Sequence, residues 1–308
     1  MAPADTATAL VEEVRWGGEP ALALRADATE ARFVPGLGLT GVSLRHHGRE
    51  FLATTGGPVA LRNGHTLGLP LLAPWANRLG GRRYRAAGVD VDLRRRRLHT
   101  DANGLPMHGL LIGASGWRVV KTIAGRDVAR MVAAIDVDAP AFPFPHRIEV
   151  AAAVRDGRLD VTTTVAPTGR RRVPVAFGWH PYLRVPGPPR SRWRLRLPAR
   201  EHLALDGRGL PTGGHAHEPA EAAPVGRRTF DDLYALGRDR VLALESDDGA
   251  VTLRSGAGYP CAQVWIPPAR PFAALEPMTV PTNALVEGNV PLVSPGDAFS
   301  ASFALAVR

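Results

Sequence analysis

Four short segments set polar side chains among small or rigid residues, as a site that must hold its groups still requires. They are Pro74-Trp75-Ala76-Asn77-Arg78-Leu79, Gly104-Leu105-Pro106-Met107-His108-Gly109, Phe177-Gly178-Trp179-His180-Pro181-Tyr182, and Leu275-Glu276-Pro277-Met278-Thr279 with Pro281-Thr282-Asn283-Ala284 just downstream. Pro181 restricts His180 to extended backbone, and Phe177, Trp179 and Tyr182 supply a half-apolar wall around it. An imidazole in such a setting titrates near neutrality and suits proton transfer. Glu276 also precedes a proline and follows the apolar run Pro271 to Leu275; burial there raises a carboxyl toward the range of a working base. Taken singly, each residue has an ordinary structural reading: a satisfied core histidine, an exposed loop glutamate, a turn histidine at His108 beside Gly109, and an ion-paired arginine at Arg78.

The elements that must position these segments are strands. Ile148, Val150, Ala152 and Val154 alternate with other residues, and Leu159, Val161, Thr163 and Val165 repeat the pattern beyond Asp156-Gly157, which predicts a hairpin with a tight turn. A second hairpin is predicted through Val241 to Leu253 around Asp248-Gly249, and further alternation runs through Trp193, Leu195, Leu197 and from Phe299 to Val307. The 28 prolines and 33 glycines fall repeatedly between such stretches, and no apolar helical period is sustained. The fold class is therefore mostly β, a large twisted antiparallel β-sandwich. With no repeat and no low-complexity linker, residues 1–308 read as one domain; the segments 186–189 and 208–228 read as surface loops.

Composition excludes several classes. A chain of 308 residues with 45% hydrophobic and 22% charged residues can bury a large core. The single cysteine, Cys261, forms no internal disulfide and suits a reducing compartment, so a cytoplasmic location is expected. The first ten residues carry no leader signal, and no apolar run is long enough to span a bilayer. The net charge of +9 comes from arginines spread along the chain, with Lys121 the only lysine; no nucleic-acid partner is expected from so diffuse a distribution. The run Arg94 to Arg97 reads as a solvated turn or guarded edge. His215 and His217 have the spacing of a strand pair of metal ligands but lack an obvious third ligand, so no metal is assigned.

Together, in this order, the four segments resemble the aldose 1-epimerase (galactose mutarotase-like) family over about Leu61 to Ala304. The resemblance implies the supersandwich fold of that family and a cofactor-independent isomerase that interconverts the α and β anomers of an aldohexose. In that family the histidine of His-Pro-Tyr is the general acid and the glutamate of the late Glu-Pro segment the general base, which implies those roles for His180 and Glu276. Arg78, after Asn77, matches the arginine that binds sugar hydroxyls, and His108 a second contact near the ring oxygen. Asp231 matches the family's substrate-binding aspartate, with Asp232 as its rival. The small-molecule partner is thus a sugar, and the chain is a monomer or homodimer. Ala176 to Trp179 and Leu110 depart from the galactose-specific pattern, which leaves the sugar open. A hexose-6-phosphate 1-epimerase and a non-catalytic carbohydrate-binding protein of the same fold are the alternatives.

Overall fold

The computed structural model describes residues 9–308; positions 1–8, most of the stretch read as carrying no leader, lie outside the described residues. In the strand Phe142–Arg155 every second side chain from Phe142 to Val154 is buried, the period of a strand with one face on a core. Ala129–Ala139 and Arg158–Pro167 flank it, both antiparallel. Among the described residues the strands make a nine-stranded, an eight-stranded and a five-stranded sheet, plus two short ribbons. The five-stranded sheet comes first in the chain, from Leu10 to Glu50.

The nine-stranded sheet is centred on Phe299–Val307, which pairs with Arg158–Pro167 on one side and Gly249–Ser255 on the other. The eight-stranded sheet is built around Ala273–Met278. Cys261–Ile266 pairs with it along one edge, and the short strands Gly178–Trp179 and Tyr182–Leu183 along the other. The two large sheets face each other: Trp179 packs on Phe303 with ring centroids 5.8 Å apart, and its indole donates to Thr163 at 3.0 Å. One apolar cluster contains side chains of all three sheets, among them Leu24, Phe33, Phe142, Phe303, Val264 and Leu275. Each such burial contributes roughly 1.5–3 kcal/mol, so the sheets are held as a β-sandwich without staples. No helix among the described residues is long and apolar enough to cross a membrane.

The first predicted hairpin is present, with Arg155 opposite Arg158 around Asp156-Gly157. The second is shifted: Ser246 pairs with Gly249, so Asp247 and Asp248 make the turn and Gly249 already belongs to the strand. The stretch 208–228 is corrected more substantially. It contains the strands Pro211–Glu218 and Glu221–Pro224, at the outer edges of the eight-stranded and nine-stranded sheets. Most side chains of Pro211–Glu218 are exposed, so this edge strand lacks the apolar alternation by which a half-buried strand is read. Arg94 to Arg97 form an exposed segment, as expected.

On the outer face of the eight-stranded sheet two loops are zipped together. The His108 amide donates to the Asn77 carbonyl at 2.9 Å, Leu79 to Pro106 at 2.8 Å, and Leu110 to Ala73 at 2.7 Å. Asn77 and His108 both adopt left-handed backbone, with φ of 52° and 61°. Gly109 follows at φ +72°, and a Cβ there would lie 2.1 Å from the Ala73 carbonyl oxygen. Only glycine fits so close a backbone approach. We expect Gly109→Ala to cost roughly 2–4 kcal/mol of unfolding free energy, measured by urea denaturation; a wild-type midpoint would contradict this account of the loop.

Candidate active site

His180 and Glu276 are cross-strand neighbours. Gly178 pairs with Met278 and Tyr182 with Ala274, so the register sets His180 opposite Glu276. His180 sits in the gap between the two short strands, its amide donating away from the pair to Pro70 at 3.1 Å. Its Nε2 lies 3.2 Å from Glu276 Oε1, with the residues only 5% and 2% exposed. Because side chains on paired positions share a face, the same register brings in the next strands: Glu276 is opposite Gln263, and Trp265 opposite Asp231.

The polar end of the site is organised around Arg78. Its Nε donates to Asp101 Oδ2 at 2.9 Å, its Nη1 to Asn77 Oδ1 at 3.0 Å, and its Nη2 stands 3.7 Å from Asp231 Oδ2. Asp231 Oδ1 in turn accepts from Gln263 Nε2 at 2.7 Å. Asp101 spends its other oxygen on the Asn103 and Leu105 amides, both at 2.9 Å. A turn with its own hydrogen bonds thus aims the guanidinium at Asp231. The loop that carries Arg78 is pinned from late in the chain: Asn283, at φ 71°, accepts from the Gly80 amide at 2.6 Å and donates its own amide to the Arg78 carbonyl at 3.1 Å.

Together these groups line a cavity of about 220 Å³, whose walls include Asn77, Arg78, His108, His180, Asp231 and Glu276, with Thr66, Tyr182, Gln263, Trp265, His65 and His99 between them. All six residues singled out in the sequence are therefore brought together. Asp231 lines the cavity, whereas Asp232 points to the opposite face of its strand and meets His202, Nε2 to Oδ1, at 3.5 Å. Trp75 and Trp179, which neighbour polar site residues in the sequence, are buried in the core; the tryptophan beside the cavity is Trp265, 5.8 Å from the His180 ring. Sequence reasoning passed over Gln263, Trp265 and Asp101. The strand Cys261–Ile266 carried a signal for the first two, a glutamine and a tryptophan on alternate positions of an otherwise apolar run.

Burial dominates the electrostatics. It pushes the His180 imidazole down to about 3, away from the near-neutral titration its sequence setting suggests, because the ring is enclosed; it also raises the Glu276 carboxyl well above its ordinary value, an effect that Asp231 reinforces and Arg78 opposes. His108 is held well below the usual imidazole range by burial and by His180, whose ring is 5.5 Å away. The His180–Glu276 pair accordingly shares one proton, and burial favours its uncharged arrangement, with the proton on the carboxyl. Glu276 Oε2, His180 Nδ1 and Gln263 Oε1 are buried without a hydrogen-bond partner in the protein, which leaves two acceptors and a ring nitrogen with hydrogen-bonding capacity at the cavity. Among the described residues no three His, Cys, Asp or Glu side chains are grouped to hold a metal ion, and His217 of the edge strand is exposed and paired with Glu201.

The model of the family described as aldose 1-epimerase matches residues 34–304. The chain belongs to the aldose 1-epimerase family. Solved structures share the fold of this epimerase-family chain at low sequence identity. A galactose mutarotase-like protein from Clostridium acetobutylicum superposes with a TM-score of 0.88 at 19% identity, over 98% of this chain and 99% of that one. Galactose 1-epimerase from Lactobacillus acidophilus gives 0.78 at 13% identity, over 98% and 99%. The GalM/aldose epimerase homologue from C. elegans gives 0.77 at 14%, over 97% and 99%. No curated protein sequence matches the chain.

Two expectations follow from the geometry. Burial holds the Glu276 carboxyl above its ordinary range in the native state, so as pH rises past that range the unfolded chain ionises while the native one resists, and native stability falls. Glu276→Gln removes this penalty and should gain stability over wild type as pH rises from about 4.5 to 8, measured by urea denaturation. An equal stability difference between the two proteins at both pH values would contradict it. Asp101→Asn keeps an oxygen for the Asn103 and Leu105 amides but sets an NH₂ against Arg78 Nε. A crystal structure of that variant should show the turn intact and Arg78 swung away from Asp231.

Proposed function

We propose that the chain is an aldose 1-epimerase acting on the anomeric centre of an aldohexose. The observation that carries this reading is the 3.2 Å approach of His180 Nε2 to Glu276 Oε1 inside a small polar cavity. Mutarotation takes the proton from the anomeric hydroxyl while the ring oxygen gains one; the open aldehyde rotates and recloses on its other face. A carboxylate at the anomeric hydroxyl and a protonated imidazole at the ring oxygen perform both transfers, each such group contributing roughly 10²–10⁴-fold.

As the anomeric hydroxyl becomes a carbonyl the bond between the anomeric carbon and the ring oxygen breaks, so only protons pass between protein and sugar, and the pair needs one between its two members. Ring opening begins with the proton on His180 and ends with it on Glu276, the arrangement from which reclosure starts. Burial favours that second arrangement in the empty cavity, and a bound sugar whose hydroxyls face Glu276, with Arg78 near by, favours the first. The short path between Nε2 and Oε1 lets the proton return, so neither direction strands the enzyme in an inactive state. Arg78, Asn77, Asp231 and His108 hold the remaining hydroxyls while the anomeric carbon turns, an orientation effect. The Lactobacillus neighbour named galactose 1-epimerase supports a hexose as substrate.

Polarimetry on freshly dissolved α-glucose and α-galactose tests this. Wild-type protein should speed the approach to anomeric equilibrium, and His180→Ala and Glu276→Gln should each lose at least about a hundredfold in rate. Near-normal rates in either variant would refute the acid–base assignment.

A further inference from the structure

Trp265 faces two hollows. On one side it lines the cavity beside His180; on the other it walls a depression of about 400 Å³ together with Tyr182, Phe272, Thr66 and Arg270. Thr66, Tyr182 and Trp265 belong to both linings, so the two spaces meet along a rim of three side chains. Tyr182 is fixed there by a 2.5 Å hydrogen bond between its hydroxyl and that of Thr66. Its ring lies 5.1 Å from that of Phe272, which lies 5.7 Å from Trp265. Trp265 and Phe272 stay partly exposed although both are large and aromatic, and Arg270 is the only charged residue of the lining.

The proposed reaction orients a sugar relative to this depression. In a pyranose the ring oxygen is bonded to the anomeric carbon and to the carbon that bears the exocyclic CH₂ group. With the anomeric hydroxyl at Glu276 and the ring oxygen at His180, that exocyclic carbon lies beyond the ring oxygen, on the flank where Tyr182 stacks on His180 at 4.5 Å and Trp265 stands beside them. Arg78, Asp231 and Gln263 take the hydroxyls of the other edge. A substituent on the exocyclic carbon therefore leaves the cavity across the rim and enters the second depression.

Resting on the proposed epimerase reading, we propose that this depression is a subsite for a second sugar ring, and that the chain acts on the reducing hexose of a disaccharide linked through its exocyclic carbon. The C–H face of the second ring lies on Trp265 and Phe272, and its hydroxyls meet Arg270 and the Thr66 side chain. A sugar combines an apolar face with polar edges, which matches aromatic walls holding a few donors. A phosphate in the same position would meet one cation, Arg270, and otherwise only hydroxyls and apolar surface, a poor exchange for its hydration.

The test compares anomerisation of three sugars by NMR or polarimetry: glucose, a disaccharide joined to the exocyclic carbon of its reducing glucose, and glucose 6-phosphate. We expect kcat/KM for the disaccharide to exceed that for glucose by about tenfold, the scale of one or two stacking contacts. Arg270→Ala and Phe272→Leu should each remove most of that preference while leaving the glucose rate unchanged. The subsite is overturned if glucose or glucose 6-phosphate is the better substrate, or if the variants slow glucose and disaccharide alike. Failure to turn over any of the three would instead overturn the epimerase reading, and the subsite with it.

Discussion

Everything distinctive about this site depends on one strand register. Pairing Gly178 with Met278 and Tyr182 with Ala274 leaves His180 opposite Glu276, on a face of the sheet that two loops then close over. A slip of one residue would send both side chains into the core between the sheets. The register is held because the opposite faces of the same strands carry Trp179, Leu275 and Val264 into the apolar cluster, so the packing that folds the chain is also what aligns the imidazole and the carboxyl. Site geometry and core formation are here two faces of the same three strands.

The cost of that arrangement is visible in the buried polar atoms left without partners and in the direction of the titration shifts. Burying an imidazole and a carboxyl disfavours the charged form of each. A site able to hand a proton back and forth needs the charged and uncharged arrangements close in free energy, and Asp231 and Arg78, which act on Glu276 in opposite senses, are placed to set that balance. The large sheets offset the penalty with apolar burial far from the cavity, which is why a chain with an uncomfortable centre can still fold without disulfides.

Much of this was legible in the residues. The period-two stretches pointed to the strands, and the four mixed segments supplied Asn77, Arg78, His108, His180 and Glu276, which meet in one cavity; the family resemblance is borne out by the match to the aldose 1-epimerase model. What was not legible has physical reasons. Edge strand Pro211–Glu218 has solvent on both sides and so carries no alternation to read. The choice between Asp231 and Asp232 is a question of which face each occupies, and that is set by pairing with Trp265 across the sheet, a long-range fact. Trp75 and Trp179 sat beside polar site residues in sequence yet belong to the core, while Trp265, remote from every motif, reaches the cavity. Asp101 acts through Arg78 from a loop whose own sequence, Asp-Ala-Asn-Gly, says only that the chain turns.

The downstream Asn283 gives the late part of the chain a double duty. The stretch that contributes the carboxyl also supplies, a few residues on, the amide group that clamps the arginine-bearing loop. A ribosome releases those parts far apart in time: the early loop emerges long before the residue that anchors it. The cavity can therefore take shape only after the late stretch has been made and has docked, because the carboxyl and the clamp on the early loop both come from it.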